Sequence, residues 1–197
     1  SGKSTIGNTY KYVKKVGNPV LVYAKNKVLH LFYVTTSIGG WSTSQIQHIA
    51  SGDAGKTWHQ KPTLTTSPFL NISTLIRTNP VFRNDASFDI PAYHELVRKI
   101  PEVLHFSPDG SFMYKSRMTD VGRYLQPSII ATNKDSAIAV ERDGTREKKI
   151  HFQKSVDRGK HWSPPVALNE NNPGSSLAIV KTNGNRFIML YNPTREG

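Results

Sequence analysis

Three kinds of side chain in this sequence could do chemistry together. Arginines stand at the ends of apolar runs: Arg77 after Asn71–Ile76, Arg117 after Phe112–Ser116 and Arg142 after Ala137–Glu141, while Arg123 precedes the run Ile129–Thr132. A planar guanidinium grips a carboxylate through two parallel hydrogen bonds, so inward-facing arginines would suit an anionic ligand. Among groups that could carry a proton, Glu95 ranks first, Glu141 second and Asp89 third. Tyr93 and His94 run directly into Glu95 and offer polar tips on stiff rings. Gln126 and Asn71 add amides that can hydrogen-bond neutral hydroxyls. His30 and His48 sit inside strand-like runs and read as packing residues. No histidines have H-x-x-x-H spacing, so neither a metal nor an organic cofactor is expected.

The elements that would position these groups are strands. Pro19–Ala24 and Val28–Val34 are rich in β-branched and aromatic residues, as are Ala137–Arg142, Leu177–Lys181 and Phe187–Tyr191. Asn183-Gly184 is a hairpin dipeptide between the last two. Leu96–Leu104 has helix-like charges, but Pro101 argues against a long helix. Ser51–Trp58 and Ser155–Trp162 share the pattern S-x-D-x-G-x-x-W. A Ser and an Asp two apart can fold their oxygens onto backbone N–H groups, the Gly supplies a positive φ, and the Trp anchors the turn. A degenerate copy without Trp is read at Ser107-Pro108-Asp109-Gly110. Copies spaced by roughly fifty residues, built from strands, suit four-stranded blades of a β-propeller. The class is all-β.

These turns resemble the Asp-box, or bacterial neuraminidase repeat, of sialidases. Gly17-Asn18-Pro19-Val20, Gly39-Gly40-Trp41-Ser42, Ser67-Pro68-Phe69 with Asn71 and Ser73, Pro91–Glu95, Leu125-Gln126-Pro127-Ser128 and Tyr191-Asn192 also resemble a bacterial group of predicted neuraminidases, in similar order over nearly the whole chain. The resemblance implies a sialidase-type propeller, six-bladed in the family and about four blades here, forming one domain over residues 1–197. It implies a glycoside hydrolase acting on a terminal acidic sugar of a glycan. Its carboxylate would be held by an arginine cluster drawn from Arg77, Arg117, Arg123 and Arg142, with Gln126, Asn71 and Glu141 also contacting substrate. Tyr93, His94 and Glu95 would be the catalytic candidates. In sialidases a neutral phenol replaces the usual carboxylate nucleophile, because it is repelled less by an anionic substrate.

Composition is compatible with this reading. The chain has 197 residues, no cysteine and a formal net charge of +12. Without cysteine, disulfides and thiolate chemistry are excluded. No apolar run is long enough for a membrane span, and no leader with an apolar core opens the chain. Its bases are dispersed rather than clustered into a nucleic-acid patch, which favours an acidic substrate over nucleic acid. Gly2-Lys3-Ser4 matches the tail of a phosphate-binding loop but lacks the upstream glycine and strand. Departures from the resembled group are the absence of F-R-I-P, the missing Tyr-bearing blade beyond Asn192, and Asn172-Pro173-Gly174-Ser175 in place of N-P-N-S. The expectation is therefore a fragment of a longer protein or a short relative. A non-catalytic carbohydrate-binding propeller, or an enzyme for another acidic polysaccharide, is the alternative. Oligomeric state and compartment stay open.

Overall fold

The computed structural model describes residues 2–6, 9–67 and 70–194, so Pro68 and Phe69 of the Ser67-Pro68-Phe69 stretch lie outside the described residues. A first hairpin pairs β1 (Gly2–Ile6) with β2 (Thr9–Val13). The Gly2-Lys3-Ser4 stretch is thus part of a strand. The first full sheet follows as β3 (Lys15–Tyr23), β4 (Leu29–Thr36), β5 (Gln45–Ser51) and β6 (His59–Gln60). The second holds β7 (Thr74–Ile76), β8 (Val81–Phe82), β9 (Phe88–Glu95), β10 (Lys99–Phe106) and β11 (Phe112–Arg117). Here β7 and β8 both pair with β9, as two halves of one interrupted inner strand. The third is β12 (Tyr124–Ala131), β13 (Ala137–Asp143), β14 (Lys149–Ser155) and β15 (Val166–Asn171), and a hairpin of β16 (Ala178–Lys181) and β17 (Phe187–Leu190) ends the order.

Each sheet is an antiparallel meander in chain order, the blade of a β-propeller. The described residues form three complete blades and a hairpin at each end. Among the described residues, helical structure is confined to two 3-10 turns, at Gly40–Thr43 and Asn183–Asn185. The second replaces the expected two-residue hairpin, with Gly184 at φ 75°. Lys99–Phe106 is a strand despite its charges, because its alternate residues pack into the core. That core lies between blades. Phe32, Phe88 and Phe106 meet between the first and second, with Phe88 and Phe106 stacked at 5.1 Å. Val103, Ile129 and Ala139 fill the second-to-third interface, and Val140, Ile150 and Ile179 pack the third blade on the last hairpin.

The repeated turns join the third and fourth strands of their blades. Ser51 Oγ accepts from the Gly55 amide at 2.8 Å and donates to Asp53, whose carboxylate receives the Thr57 amide at 2.8 Å. The same bonds recur at Ser155, Gly159, Asp157 and His161, and each Trp indole N–H closes on the glycine carbonyl. The copy at Ser107 keeps the Ser–Asp bond and the positive-φ Gly110 between β10 and β11. Ser155 is buried, so removing its hydroxyl strands the Gly159 N–H. Ser155→Ala is expected to lower stability by about 1–3 kcal/mol, read as the shift of a urea unfolding midpoint at unchanged slope.

Alternation of strand direction assigns every loop to one of two ends. The repeated turns share one end with the first-to-second strand connections. The opposite end gathers the inter-blade crossings and the second-to-third connections, and there β9 and β13 finish and β12 begins.

Candidate functional site

The inner strand of each complete blade is broken by an X-Pro bulge. Asn18-Pro19 in β3 opposes one residue, Tyr33, and Gln126-Pro127 in β12 opposes Glu141. Between β7 and β8, four residues from Arg77 to Pro80 oppose two of β9. Proline cannot donate to the ladder, so it is tolerated at a bulge, and the bulge re-aims neighbouring side chains. Asn18 and Gln126 both take φ 52°, the left-handed conformation. The asparagine or glutamine before proline therefore recurs in all three blades, as Asn18, Asn79 and Gln126. Asn18 and Gln126 lie in motifs that stand out in the sequence, whereas Asn79 lies in a polar stretch that does not. The recurring [NQ]-P dipeptide was the available signal.

A groove of about 440 Å³ opens where the second- and third-blade bulges meet the approach to β16. Arg77, Asn79, Gln126 and Ser176 line one part, and Leu177, Leu190 and Tyr191 another. Gln126 is buried and orders the floor: its Nε2 donates to Tyr93 Oη at 3.3 Å, and its Oε1 accepts from Ser176 Oγ at 2.9 Å. Thr78 Oγ1 donates to the Pro127 carbonyl at 2.7 Å and ties the two bulges. Arg77 is exposed, and no described residue forms a hydrogen bond or ion pair with its guanidinium. Arg142 is half-buried, with Nη1 donating to the Gly174 carbonyl at 2.7 Å.

Electrostatics place these groups around the Tyr93 phenol. Burial raises its pKa most; the Gln126 hydrogen bond opposes that rise, Glu95 adds to it, and the charges of Arg142 and Arg77 lower it. Glu95 is half-buried at the end of β9, its amide bonded to the Ser73 carbonyl at 2.9 Å. Strand alternation splits the Tyr93-His94-Glu95 run: Tyr93 and Glu95 share one face, and His94 points to the other. Burial lowers the pKa of His94, and Lys115 and Arg117 push it further down.

The other expected site residues lie elsewhere. Arg117 is on the outermost strand of the second blade, 3.8 Å from Glu102. Arg123 pairs with Glu147 and lies 3.9 Å from Asp143. Asn71 holds its own loop together, accepting from the Thr66 amide and donating to the Leu64 carbonyl, each at 2.8 Å. Glu141 is completely buried between the second and third blades, and burial alone pushes its pKa up to about 8. Asp89 lies toward the opposite end, bonded to Arg83 and 2.7 Å from His105 Nδ1. Among the described residues, no three His, Cys, Asp or Glu side chains gather as a metal site would, and no helix is long and apolar enough to cross a membrane.

The sequence matches the BNR repeat-like domain over residues 3–197. No curated protein matches it. Among solved structures it resembles the Hadza microbial sialidase Hz136, with a TM-score of 0.72 at 17% identity over 92% of this chain and 41% of that one. The Trypanosoma rangeli sialidase in complex with the inhibitor DANA gives 0.64 at 12% identity over 93% of this chain and 37% of that one. The GH43 β-1,3-galactosidase BT0265 gives 0.62 at 12% identity, over 85% and 36%. The chain thus spans about two fifths or less of these three proteins.

Proposed function

Because the chain belongs to the BNR repeat-like domain family, we propose that it forms part of a larger propeller of a sialidase-like glycoside hydrolase that acts on a terminal acidic sugar. The observation that carries this reading is the Arg77 guanidinium in the groove, unpaired among the described residues, beside the Tyr93–Gln126–Ser176 hydrogen-bonded chain. Arg77 would take the sugar carboxylate, with Arg142 adding positive charge. Gln126, Asn79 and Ser176 would meet hydroxyls, and Glu95 would exchange a proton. Tyr93 would act through its phenol next to Glu95. Likeness to sialidases and to a GH43 galactosidase supports a glycosidase-type propeller; the acidic sugar rests on the arginines.

A second reading is favoured by the groove itself. None of its lining residues is a carboxylate, and Tyr93 is buried beneath Gln126. A domain that binds acidic glycans without cleaving them would need no more. Hydrolysis of a fluorogenic sialoside, by this chain and by the full-length protein, separates the two. Under the enzyme reading, the full-length protein turns over and its Glu95→Gln variant loses about a hundredfold or more in kcat, the scale of a lost general acid–base group. Binding with no turnover in any form would overturn that reading and leave the binding module.

A further inference from the structure

A second cavity, of about 350 Å³, lies at the end opposite the groove, between the second blade and the repeated turn of the third. Arg83, Asp85 and Ser87 reach it from the β8–β9 connection, and Arg158 and Lys160 from the third-blade turn. Pro108, Met113 and Tyr114 form its more apolar wall.

Bonds across the blade boundary fix its shape. Arg83 is buried, with Nε donating to Asp89 at 2.8 Å and Nη2 to the Arg158 carbonyl at 3.1 Å. Arg158 takes φ 65°; its amide is bonded to the Asp135 carbonyl at 2.7 Å, and its Nη2 donates to Asp85 at 2.6 Å. Asp85 also receives the Ser87 hydroxyl at 2.6 Å. Asp89, His105 and Ser116 are spaced like a nucleophilic triad, at 2.7 and 2.9 Å. The Ser116 hydroxyl, however, is engaged by the Gly159 carbonyl at 2.8 Å, and Ser116 does not line the cavity. Those three side chains therefore fasten the blades together and leave the cavity to binding.

Both aspartates of the cavity are matched, Asp89 by Arg83 and Asp85 by Arg158, and positive charge is left over. Lys160 is exposed and forms no hydrogen bond or ion pair with any described residue. Arg83 is anchored through Nε and Nη2, and its buried Nη1 has no partner among the described residues. A buried donor without an acceptor is costly, so an anion that satisfied it would bind favourably. Three cations drawn from two blades suit a tetrahedral oxyanion, which accepts in several directions, better than a planar carboxylate, which pairs with a single guanidinium fork. We propose that this cavity binds a tetrahedral oxyanion, the phosphate or sulfate ester of a small organic molecule whose organic part lies against Tyr114. That ring is held in place by stacking on His105, with centroids 4.3 Å apart, while 39% of its residue's surface stays exposed. The site is separate from the groove and does not depend on the acidic-sugar reading.

Titration calorimetry with inorganic phosphate, phenyl phosphate, phenyl sulfate and benzoate tests this. At least one phenyl ester should bind about tenfold more tightly than benzoate, the size of one further charge-assisted contact, and whichever ester binds better identifies the anion. Lys160→Ala should weaken that ester by about tenfold and leave the urea unfolding midpoint in place, because the lysine is exposed and unpaired among the described residues. Lys160→Arg should keep most of the affinity. Tyr114→Ala should bring phenyl phosphate down to the level of inorganic phosphate. Arg77→Ala should change none of these affinities, which separates the cavity from the groove. Absence of ester binding by the wild type, benzoate binding as tight as that of the esters, or affinity that survives Lys160→Ala or is lost in Arg77→Ala would overturn the proposal.

Discussion

Replacing Arg77 by alanine should weaken binding of a methyl glycoside of an acidic sugar by about tenfold to a hundredfold, and leave binding of its methyl ester unchanged. The magnitude follows from a charge-assisted hydrogen bond pair, worth about 1.5–3 kcal/mol. Arg77 is singled out over its neighbours because they are already engaged. Arg142 spends Nη1 on the Gly174 carbonyl, Arg123 is paired with Glu147, and Arg117 lies beside Glu102 on an outer strand. Arg77 alone among these four lines the groove. The ester is the decisive control: it keeps the sugar and its hydroxyls but removes the charge the guanidinium would meet. If Arg77→Ala weakens acid and ester equally, the residue shapes the groove and the carboxylate is bound elsewhere. Arg77→Lys should recover only part of the loss, since an ammonium keeps the charge without the planar fork.

Local features of this fold were readable in the sequence, and long-range ones were not. The S-x-D-x-G-x-x-W turns are closed by bonds between residues no more than four apart, so the pattern alone specifies them. Strands such as Leu29–Thr36 announce themselves through apolar, aromatic residues. The outer strand Val166–Asn171 does not, because it is largely exposed and has no buried face to impose alternation. Its hydrogen bonds to β14 make it a strand. The Asn71–Arg77 run shows a subtler mismatch. Only Thr74–Ile76 is strand, because Leu70, Asn71 and Ser73 all take positive φ and the ladder breaks again at Arg77. Within the candidate site, Tyr93 and Gln126 were named as residues, but their meeting was not predictable. They are 33 positions apart on different blades, and contact depends on how a bulge turns Gln126. His94 shows the converse: adjacency in sequence suggested a shared site, and the period of two along β9 separates it from both neighbours.

The buried Glu141 leads to an expected pH profile opposite to that of ordinary acid denaturation. Its carboxyl is completely enclosed between the second and third blades, and neither oxygen has a hydrogen-bond partner among the described residues. Burial alone raises its folded pKa from 4.5 to about 8. The folded state therefore keeps a proton that the unfolded chain releases above about pH 4.5. Stability from this group is present at low pH, falls by about 1.4 kcal/mol per unit as pH rises between the two values, and levels off above about 8. The buried pair of His30 and His48, 2.9 Å apart, acts in the other direction. Burial lowers both pKa values, that of His48 to about 3, so the unfolded chain gains protons first and stability drops as pH falls below about 6.5. Opposing slopes would mask Glu141 in the wild-type curve alone. The difference between wild type and Glu141→Gln removes the histidine contribution, which both share. Measured by urea unfolding from pH 5 to 8, the variant should gain on the wild type by about 1.4 kcal/mol per unit. A difference that stays flat over that range would show that Glu141 is ionised in the folded protein, compensated by water or a cation.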